Sequence, residues 1–365
     1  MTGRVVFIAG FPGFLAHYLL EKLLEEQHEE RFELLVESHL LERASKMVER
    51  LAQRLPGTTQ RVSFVAGDIS SVDLGLNNAT LERVRAEVTV VYQLAAIYDL
   101  AVPKEIAERI NVVGTQNVLD FCARLSKLER LIYFSTCHVC GKRLGRILES
   151  ELDAGQGFKN FYESTKFAAE LLVQQRWNQI PTTIIRPAIV VGHSKTGATD
   201  KYDGLYFPMK LTIRMPRWLP TAYLGSGEVP VNLVPIDYVI DGAVAIAARP
   251  DAAGKVFALA DPSPNLVREV WRLMLEMTGH RSPGLTLPMS LVKWSMQPRF
   301  VRRYLQIPLQ ALDYFEHYAE FDCSNALGAL AGTGISCPRI PDYLPTLLKF
   351  ASEHPWLDQL REQIY

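Results

Sequence analysis

Tyr162 and Lys166 are the two residues whose types and spacing indicate chemistry most directly. They lie four residues apart in the segment GFKNFYESTKFAAELLVQ, which has a helical pattern, so both side chains project from one helix face. A phenol is a poor proton donor or acceptor at neutral pH, and a neighbouring ammonium favours the phenolate and lowers its pKa. The pair predicts an acid/base site, although a YxxxK match alone is weak because such spacings also occur by chance on helix surfaces.

A glycine-containing turn near the N-terminus predicts a cofactor site. The run Val5–Ala9 is wholly apolar, as in a strand buried on both faces of a parallel sheet, and HYLLEKLLEEQ further on has helical spacing. The turn between them consists of Gly10, Phe11, Pro12, Gly13, Phe14, Leu15 and Ala16. Gly10 permits a tight turn, and Gly13 lets the backbone approach a pyrophosphate at the helix N-terminus. Strand, turn and helix together predict a dinucleotide site; the alternative is an ordinary strand–helix connection.

Strand and helix patterns alternate regularly as far as Gly192. After the first strand, strand patterns cover residues 32–36, 63–69, 88–96, 130–136 and 181–192. This alternation predicts an α/β fold with a Rossmann-type, doubly wound parallel sheet. We expect residues 1–192 to form the dinucleotide-binding domain, with 236–262 returning to it. Residues 193–235 and 263–365 then form a smaller, mostly helical substrate lobe, of which 193–235 shows no sustained period.

Residues just past the predicted strands indicate how the cofactor is held. Glu37 follows the second strand, where an acidic group accepts hydrogen bonds from the ribose hydroxyls and repels a 2'-phosphate. This favours NAD(H), with NADP(H) as the alternative because Arg43 lies close by in the sequence. Further predicted cofactor contacts are Asp68 and Ile69 at the adenine edge, and Leu94, Ala95 and Ala96, where small residues let the cofactor pass close to the backbone.

Composition limits the class of protein. The chain has 365 residues, 48% of them hydrophobic and 22% charged, with a net charge of -1, which gives no general attraction to nucleic acid. Five cysteines without framework spacing favour reduced thiols in a cytoplasmic protein. The start of the chain indicates a first strand rather than a targeting segment, and no apolar stretch has the length of a membrane span.

Cys137 and Cys140 form a lone CxxC pair, which is incomplete as a zinc site and is better explained by packing, so no metal is predicted.

The sequence resembles the extended short-chain dehydrogenases/reductases, and within them the fatty acyl and thioester reductases. The motifs that carry the resemblance follow in family order: GFPGFLA, GDI, LAA, NVVGTQNVL, YFSTCHVCG, YESTK, IIRPAIVVG and VPIDYV. The resemblance implies that Tyr162 is the acid/base, Lys166 its ribose-binding partner, Thr136 the catalytic hydroxyl and Asn111 a water-holding fourth member. Aligning VCG with the family's VYG selects Thr136 over Ser135. The Arg186-Pro187 pair implies a nicotinamide contact at Pro187.

Two residues depart from the family pattern. Ala16 replaces a third glycine, and Glu37 stands where acyl reductases usually carry a basic residue for NADP. The resemblance therefore leaves open both the choice between NAD and NADP and the direction of the reaction. The predicted activity is NAD(P)(H)-dependent hydride transfer to a carbonyl, with an acyl thioester reduced to an aldehyde or alcohol. Alternatives are a hydroxysteroid-type alcohol dehydrogenase, a nucleotide-sugar epimerase or dehydratase, and a cofactor-binding scaffold without turnover.

The resemblance and the composition also suggest partners. With no fused adenylation or carrier domain, the thioester is expected as an acyl-CoA or on a separate carrier. Family members commonly form homodimers through the fourth and fifth crossover helices, so a homodimer is an expectation here. The basic and aromatic stretch Leu287–Tyr318 predicts a helical lid over the pocket, with a membrane-surface or acyl-chain contact as the alternative.

Overall fold

The computed structural model of the protein describes residues 3–99, 102–295, 297 and 309–354. Its strands are β1 (Val5–Ala9), β2 (Arg31–Val36), β3 (Val62–Ala66), β4 (Val90–Gln93), β5 (Arg130–Phe134), β6 (Gly145–Ile147), β7 (Thr182–Pro187), β8 (Ile189–Val191), β9 (Ala222–Leu224), β10 (Leu233–Pro235), β11 (Lys255–Leu259), β12 (Leu285–Leu287) and β13 (Ala319–Phe321). Its α-helices are α1 (Phe14–Glu26), α2 (Leu41–Arg54), α3 (Thr58–Arg61), α4 (Asn78–Glu87), α5 (Lys104–Ala107), α6 (Gly114–Cys122), α7 (Phe161–Gln175), α8 (Tyr206–Arg214), α9 (Ile236–Ala247), α10 (Val267–Met277), α11 (Met289–Ser295), α12 (Ser324–Leu330) and α13 (Ile340–Glu353).

Seven parallel strands form the central sheet, in the order β11-β7-β5-β4-β1-β2-β3. The α/β, doubly wound fold predicted from the sequence is confirmed. The strand order reverses between β1 and β4, and open α/β sheets bind their ligands in the crevice at this point. The predicted return of the chain to the sheet edge is also confirmed, because β11 pairs with β7.

Both faces of the sheet are buried, as the apolar first strand predicts. Val6 and Ile8 of β1 lie in one core with α1, α2 and α9, whereas Val5, Phe7 and Ala9 lie in a second core with α4, α6 and α7. Successive side chains of a strand point to opposite faces, so a strand covered on both sides must be apolar throughout. Burial on both faces holds the carboxyl ends of the strands in fixed positions.

A third core lies outside the sheet. It brings together Met209 of α8, Met274 of α10 and Leu344 of α13, three helices within the ranges predicted for the helical lobe. Helix α8 lies in the region where no sustained period was found. Pro208 is its third residue, where a helix does not need the backbone N–H for its own hydrogen bonds, so the proline does not break the helix.

Several strand predictions extend beyond the observed strands. The fourth, predicted over 88–96, is Val90–Gln93, and the fifth, predicted over 130–136, is Arg130–Phe134. The third strand ends at Ala66 rather than at residue 69, because the chain then turns through Asp68 and Ser70. The pattern over 181–192 divides into β7 and β8, because β8 leaves the central sheet and pairs with β10 in a separate two-stranded sheet. The domain boundaries themselves stay predictions.

The structure describes part of the stretch Leu287–Tyr318, and its predicted role as a lid stays a prediction. Helix α11 and a 3-10 helix, Leu309–Glu316, belong to it. Its basic and aromatic residues Arg299, Phe300, Arg302, Arg303 and Tyr304 lie outside the described residues. Throughout the described ranges, none of the helices is both long enough and apolar enough to cross a membrane.

Candidate active site

Tyr162 and Thr136 meet where β5 and α7 approach each other. Tyr162 lies in the first turn of α7, and Thr136 follows β5 at the carboxyl edge of the sheet. Both side chains are buried, and Oγ1 of Thr136 forms a hydrogen bond with the Tyr162 side chain. Burial raises the pKa of Tyr162 above its ordinary value of 10.0, and the Thr136 hydrogen bond acts in the opposite direction. The phenol is therefore protonated at neutral pH.

Ser135 takes a different partner from Thr136. Its hydroxyl donates to the buried carboxylate of Glu170 at 2.5 Å, and Glu170 pairs with the guanidinium of Arg186, also at 2.5 Å. The single proton of the Ser135 hydroxyl is therefore used in the bond to Glu170. The contacts therefore agree with the choice of Thr136 that the resemblance made.

Lys166 lies one turn beyond Tyr162 on α7, as the spacing predicts, but its amine has other partners. Nζ donates to the carbonyl oxygen of Phe134 at 2.7 Å and to the hydroxyl of Tyr133 at 3.1 Å. Burial lowers the pKa of Lys166 to about 8. The expectation that this ammonium lowers the pKa of Tyr162 is wrong for the structure as it stands. There, burial of the phenol dominates and raises its pKa, and the hydrogen bond that opposes this comes from Thr136.

Asn111 connects the loop after β4 to α7. It lies in a π-helical turn, Glu108–Val113, between α5 and α6. Its Oδ1 accepts from the N–H of Ile97 at 2.9 Å, and its Nδ2 donates to the carbonyl of Ile97 at 3.3 Å and to Oγ1 of Thr165 at 3.0 Å. The buried amide thus fixes the position of this loop beside the helix that carries Tyr162.

The glycine turn after β1 has the shape that a dinucleotide requires. Gly10 has a φ of 115°, and a Cβ there would lie 2.6 Å from the N of Ala95. Gly13 is exposed and caps the N-terminus of α1, with Phe11, Pro12 and Phe14 buried around it and Leu15 half-buried. The N–H groups of Leu94 and Ala95 both donate to the carbonyl of Ala9, which holds the turn against β4. Close backbone approach and a helix N-terminus whose Gly13 cap has no side-chain hydrogen bond fit a bound pyrophosphate.

Other predicted cofactor residues lie along the same edge of the sheet. Glu37 is exposed directly after β2, with Nδ1 of His39 3.6 Å from its carboxylate. The carboxylate of Asp68 accepts from the N–H and the hydroxyl of Ser70, at 2.8 and 2.6 Å, so it shapes the turn after β3. Ile69 is buried, Ala96 follows Ala95 in the loop after β4, and the carbonyl of Pro187 accepts from the Thr136 hydroxyl at 3.5 Å. Their contacts with a cofactor stay predictions.

Sequence reasoning missed Tyr98, Tyr133 and Glu170. The ring of Tyr98 packs edge-on against that of Tyr162, with centroids 4.8 Å apart. Tyr98 follows the small residues that end the fourth strand pattern, and this position could have marked it. Glu170 lies four residues beyond Lys166, on the same helix face as Tyr162, so its spacing was also a signal. Tyr133 carried no such signal, because a strand residue's partner depends on the tertiary structure.

The CxxC pair is packed into the protein. The thiol of Cys137 donates to the carbonyl of Arg186 at 3.2 Å, and burial raises its pKa well above its ordinary value. Cys140 is buried too, and burial raises its pKa to about 11. In the part of the chain that the structure describes, no group of three or more His, Cys, Asp or Glu side chains could hold a metal ion.

The fold and these contacts define an extended short-chain dehydrogenase/reductase, as the resemblance implied. The chain belongs to the NAD-binding male sterility protein family, whose model matches residues 8–243. It is 24% identical over 333 residues to the fatty acyl-CoA reductase wat of Drosophila melanogaster, covering 81% of this chain and 63% of that protein. It is also 24% identical over 317 residues to the probable fatty acyl-CoA reductase 5 of Arabidopsis thaliana, covering 68% of this chain and 64% of that protein. The chain thus spans a little under two thirds of these relatives.

Solved structures share the whole architecture. The terminal R domain from the myxalamid PKS-NRPS biosynthetic pathway superposes with a TM-score of 0.82 at 27% identity, covering 98% of this chain and 92% of that one. The reductase (R) domain of a nonribosomal peptide synthetase from Mycobacterium tuberculosis superposes with a TM-score of 0.72 at 19% identity, over 98% and 92% of the two chains. At that lower identity the second likeness concerns the fold alone.

Proposed function

We propose that this chain is an NAD(P)H-dependent oxidoreductase that reduces the carbonyl of an acyl thioester. The observation that carries the proposal is the hydrogen bond between Thr136 and Tyr162, at the carboxyl edge of the sheet that also bears the glycine turn. Two adjacent hydroxyls at this edge can hold one carbonyl oxygen. The similarity to fatty acyl-CoA reductases and to a reductase domain supports a thioester as the substrate.

Each side chain has a defined part in this reaction. Thr136 donates a hydrogen bond to the carbonyl oxygen, and Tyr162 transfers its proton to that oxygen as negative charge develops. A nicotinamide, when bound, supplies the hydride to the carbonyl carbon. The resulting hemithioacetal then breaks its carbon–sulfur bond and yields an aldehyde and a free thiol. Because burial keeps the Tyr162 phenol protonated, the site is suited to proton donation and so to reduction.

Lys166 and Asn111 support the two hydroxyl residues, Thr136 and Tyr162. The ammonium of Lys166 has three N–H donors. Two of them bond to the Phe134 carbonyl and the Tyr133 hydroxyl, and the third is left for a ribose hydroxyl. With a pKa of about 8, Lys166 is mostly charged at neutral pH. Asn111 holds the loop that carries Ile97 against α7, and so fixes one wall beside Tyr162.

NADH is the favoured cofactor in this proposal. Glu37 stands at the end of β2 with its carboxylate in solvent, in the position where this architecture places the adenosine ribose. A carboxylate there accepts from the two ribose hydroxyls and repels a 2'-phosphate. NADPH remains the alternative, and Arg43 on α2 is the nearby cation in the sequence that would favour it.

The test is cofactor oxidation with medium and long acyl-CoAs, with identification of the product. Tyr162→Phe is expected to lower turnover by about 10²- to 10⁴-fold, the usual effect of losing an acid/base group, while NADH binding is retained. Tyr318→Phe is the matched control, because its exposed hydroxyl bonds only to the nearby Glu320 among the hydrogen bonds of the described residues. Near-normal turnover of Tyr162→Phe would remove this mechanism. NAD that stays bound through gel filtration, without any thioester reduction, would favour an epimerase instead.

A further inference from the structure

A buried carboxylate lies directly beside the acid/base tyrosine. Glu163 follows Tyr162 in α7 and has no solvent exposure. Its carboxylate accepts from the N–H of Lys159 at 2.9 Å and from the Lys159 amine at 3.2 Å. A third donor, the hydroxyl of Tyr314, lies 2.6 Å away and comes from the 3-10 helix Leu309–Glu316, about 150 residues further along the chain. A buried charge with this many donors has a fixed position.

Two of these contacts determine where α7 begins. Oδ1 of Asn160 accepts from the N–H of Glu163 at 2.9 Å, while the Glu163 carboxylate accepts from the N–H of Lys159. This reciprocal arrangement resembles a capping box. The hydroxyl of Tyr314 also accepts from Nδ2 of Asn160 at 3.0 Å. Tyr314 therefore bonds to both residues that hold the first turn of the helix, and Tyr162 lies in that turn.

The ring of Tyr314 reaches the segment that carries Thr136 as well. His138 packs edge-on against it with centroids 5.2 Å apart, and the N–H of His138 donates to the Thr136 hydroxyl at 3.2 Å. The Lys159 amine lies 5.0 Å from the Tyr314 ring centroid and donates to the carbonyl of Gly141 at 2.6 Å. Tyr314 thus contacts both segments whose separation sets the distance between Thr136 and Tyr162.

We propose that Tyr314 is a positioning residue, which aligns Tyr162 with Thr136 by bonding to Glu163 and Asn160 at the start of α7. This inference rests on the proposed function, in which these two hydroxyls hold the substrate carbonyl. Tyr314 touches neither of them through its own hydroxyl, so it acts through the helix. Alignment matters for turnover more than for binding, since small displacements of reacting groups slow the chemical step.

Tyr314→Phe tests the proposal with a minimal change. The ring, and with it the His138 and Lys159 contacts, remains, and Glu163 keeps both Lys159 donors. We expect kcat to fall by about tenfold, the effect of one lost hydrogen bond to a charged group, with the KM for NADH unchanged. Amide hydrogen exchange over residues 158–167 should become faster in the same variant, whereas exchange in β1 should stay unchanged. Tyr318→Phe, from the same lobe, should alter neither quantity.

The two readouts separate this inference from the proposed function. Unchanged turnover, unchanged exchange over 158–167, or exchange that rises equally in β1 would each overturn a positioning role for Tyr314. The exchange experiment needs no substrate. If the wild-type protein reduces no thioester, the proposed function fails, and the exchange result alone decides whether Tyr314 holds the first turn of α7.

Discussion

The amine of Lys166 lies 3.1 Å from the hydroxyl of Tyr133, and both side chains are buried. The nitrogen also lies 4.6 Å from the centroid of the Tyr133 ring, where the π-electrons attract a cation. These contacts stabilise the ammonium less than water does. Burial accordingly lowers the pKa of Lys166 from its ordinary value of 10.5 to about 8. The protein therefore holds a charged amine in its interior at a cost to its stability.

We expect the free energy of unfolding to rise between pH 8 and pH 10.5 because of Lys166. Below pH 8 the amine is protonated in both states, and the folded state bears the full cost. Between the two pKa values the folded state has lost a proton that the unfolded chain still binds, so stability increases with pH. The gain is about 2–3 kcal/mol by pH 10, at about 1.4 kcal/mol for each pKa unit. Urea unfolding of wild type and Lys166→Met at pH 7 and pH 10 measures it; parallel pH dependences would contradict the assignment.

Thr136→Val should remove most of the activity while leaving the shape of the site. The substitution keeps the volume and deletes the hydroxyl that bonds to Tyr162. Loss of one hydrogen-bond donor to a developing oxyanion lowers kcat by about 10²- to 10³-fold. Thr136→Ser retains the oxygen and should keep kcat within about tenfold of wild type, since only a methyl group is lost. Equal kcat values for the valine and serine variants, measured with an acyl-CoA, would exclude Thr136 from the reaction.

Glu170→Gln should destabilise the protein strongly. Glu170 is fully buried and receives hydrogen bonds from Arg186 and Ser135, so its neutralisation leaves a buried guanidinium without its ion-pair partner. Breaking such a pair costs about 3–5 kcal/mol. The matched control is Glu228→Gln, whose partner Arg268 is half exposed, as Glu228 is, and which should cost less than about 1 kcal/mol. Thermal unfolding of both variants compares them, and similar losses would refute the special status of the buried pair.

How far the sequence predicts the fold depends on whether the signal is local. Strand β1 has the predicted bounds, because its apolar run ends sharply at Gly10. The division of residues 181–192 into β7 and β8 has one local signal, Pro187 at the end of β7. The pairing of β8 with Leu233–Pro235, more than forty residues later, has none. Helix α8 was missed because Pro208 hides its beginning.

The site shows the same distinction. The spacing of Tyr162 and Lys166 correctly places both on one helix, and the resemblance selects Thr136. The partners of the Lys166 amine could not be predicted, because a long flexible side chain takes whichever acceptor the neighbouring strand presents, here the carbonyl of Phe134. The contact of Tyr314 with Glu163 joins residues about 150 positions apart and leaves no pattern in the sequence. The homodimer, the membrane contact and the cytoplasmic location stay predictions.

Gly10→Ala should disrupt the turn that holds the cofactor. Its φ of 115° is strained for alanine, and the new Cβ would lie 2.6 Å from the backbone N of Ala95, which cannot move without shifting the end of β4. Gly57→Ala is the control, because Gly57 also has a positive φ, 86°, but no atom within 4 Å of the added Cβ. The control should cost about 1–2 kcal/mol in stability through backbone strain alone. Gly10→Ala should in addition weaken NADH binding by roughly tenfold or more, corresponding to about 1.4 kcal/mol. Equal NADH affinities of the two variants in a fluorescence titration would contradict this role.

Glu37→Arg should reverse the preference between the two nicotinamide cofactors. The wild-type carboxylate repels the 2'-phosphate of NADPH, whereas a guanidinium pairs with that phosphate and gives up the hydrogen bonds to the ribose hydroxyls of NADH. A hydrogen bond to a charged group contributes about 1.5–3 kcal/mol, so the ratio of kcat/KM for NADPH and NADH should rise by roughly 10- to 100-fold. Glu42→Arg, five residues further on in the first turn of α2 and exposed, makes the same change of charge away from the end of β2. If both substitutions raise the ratio equally, the preference comes from the general electrostatic field, and Glu37 does not contact the ribose.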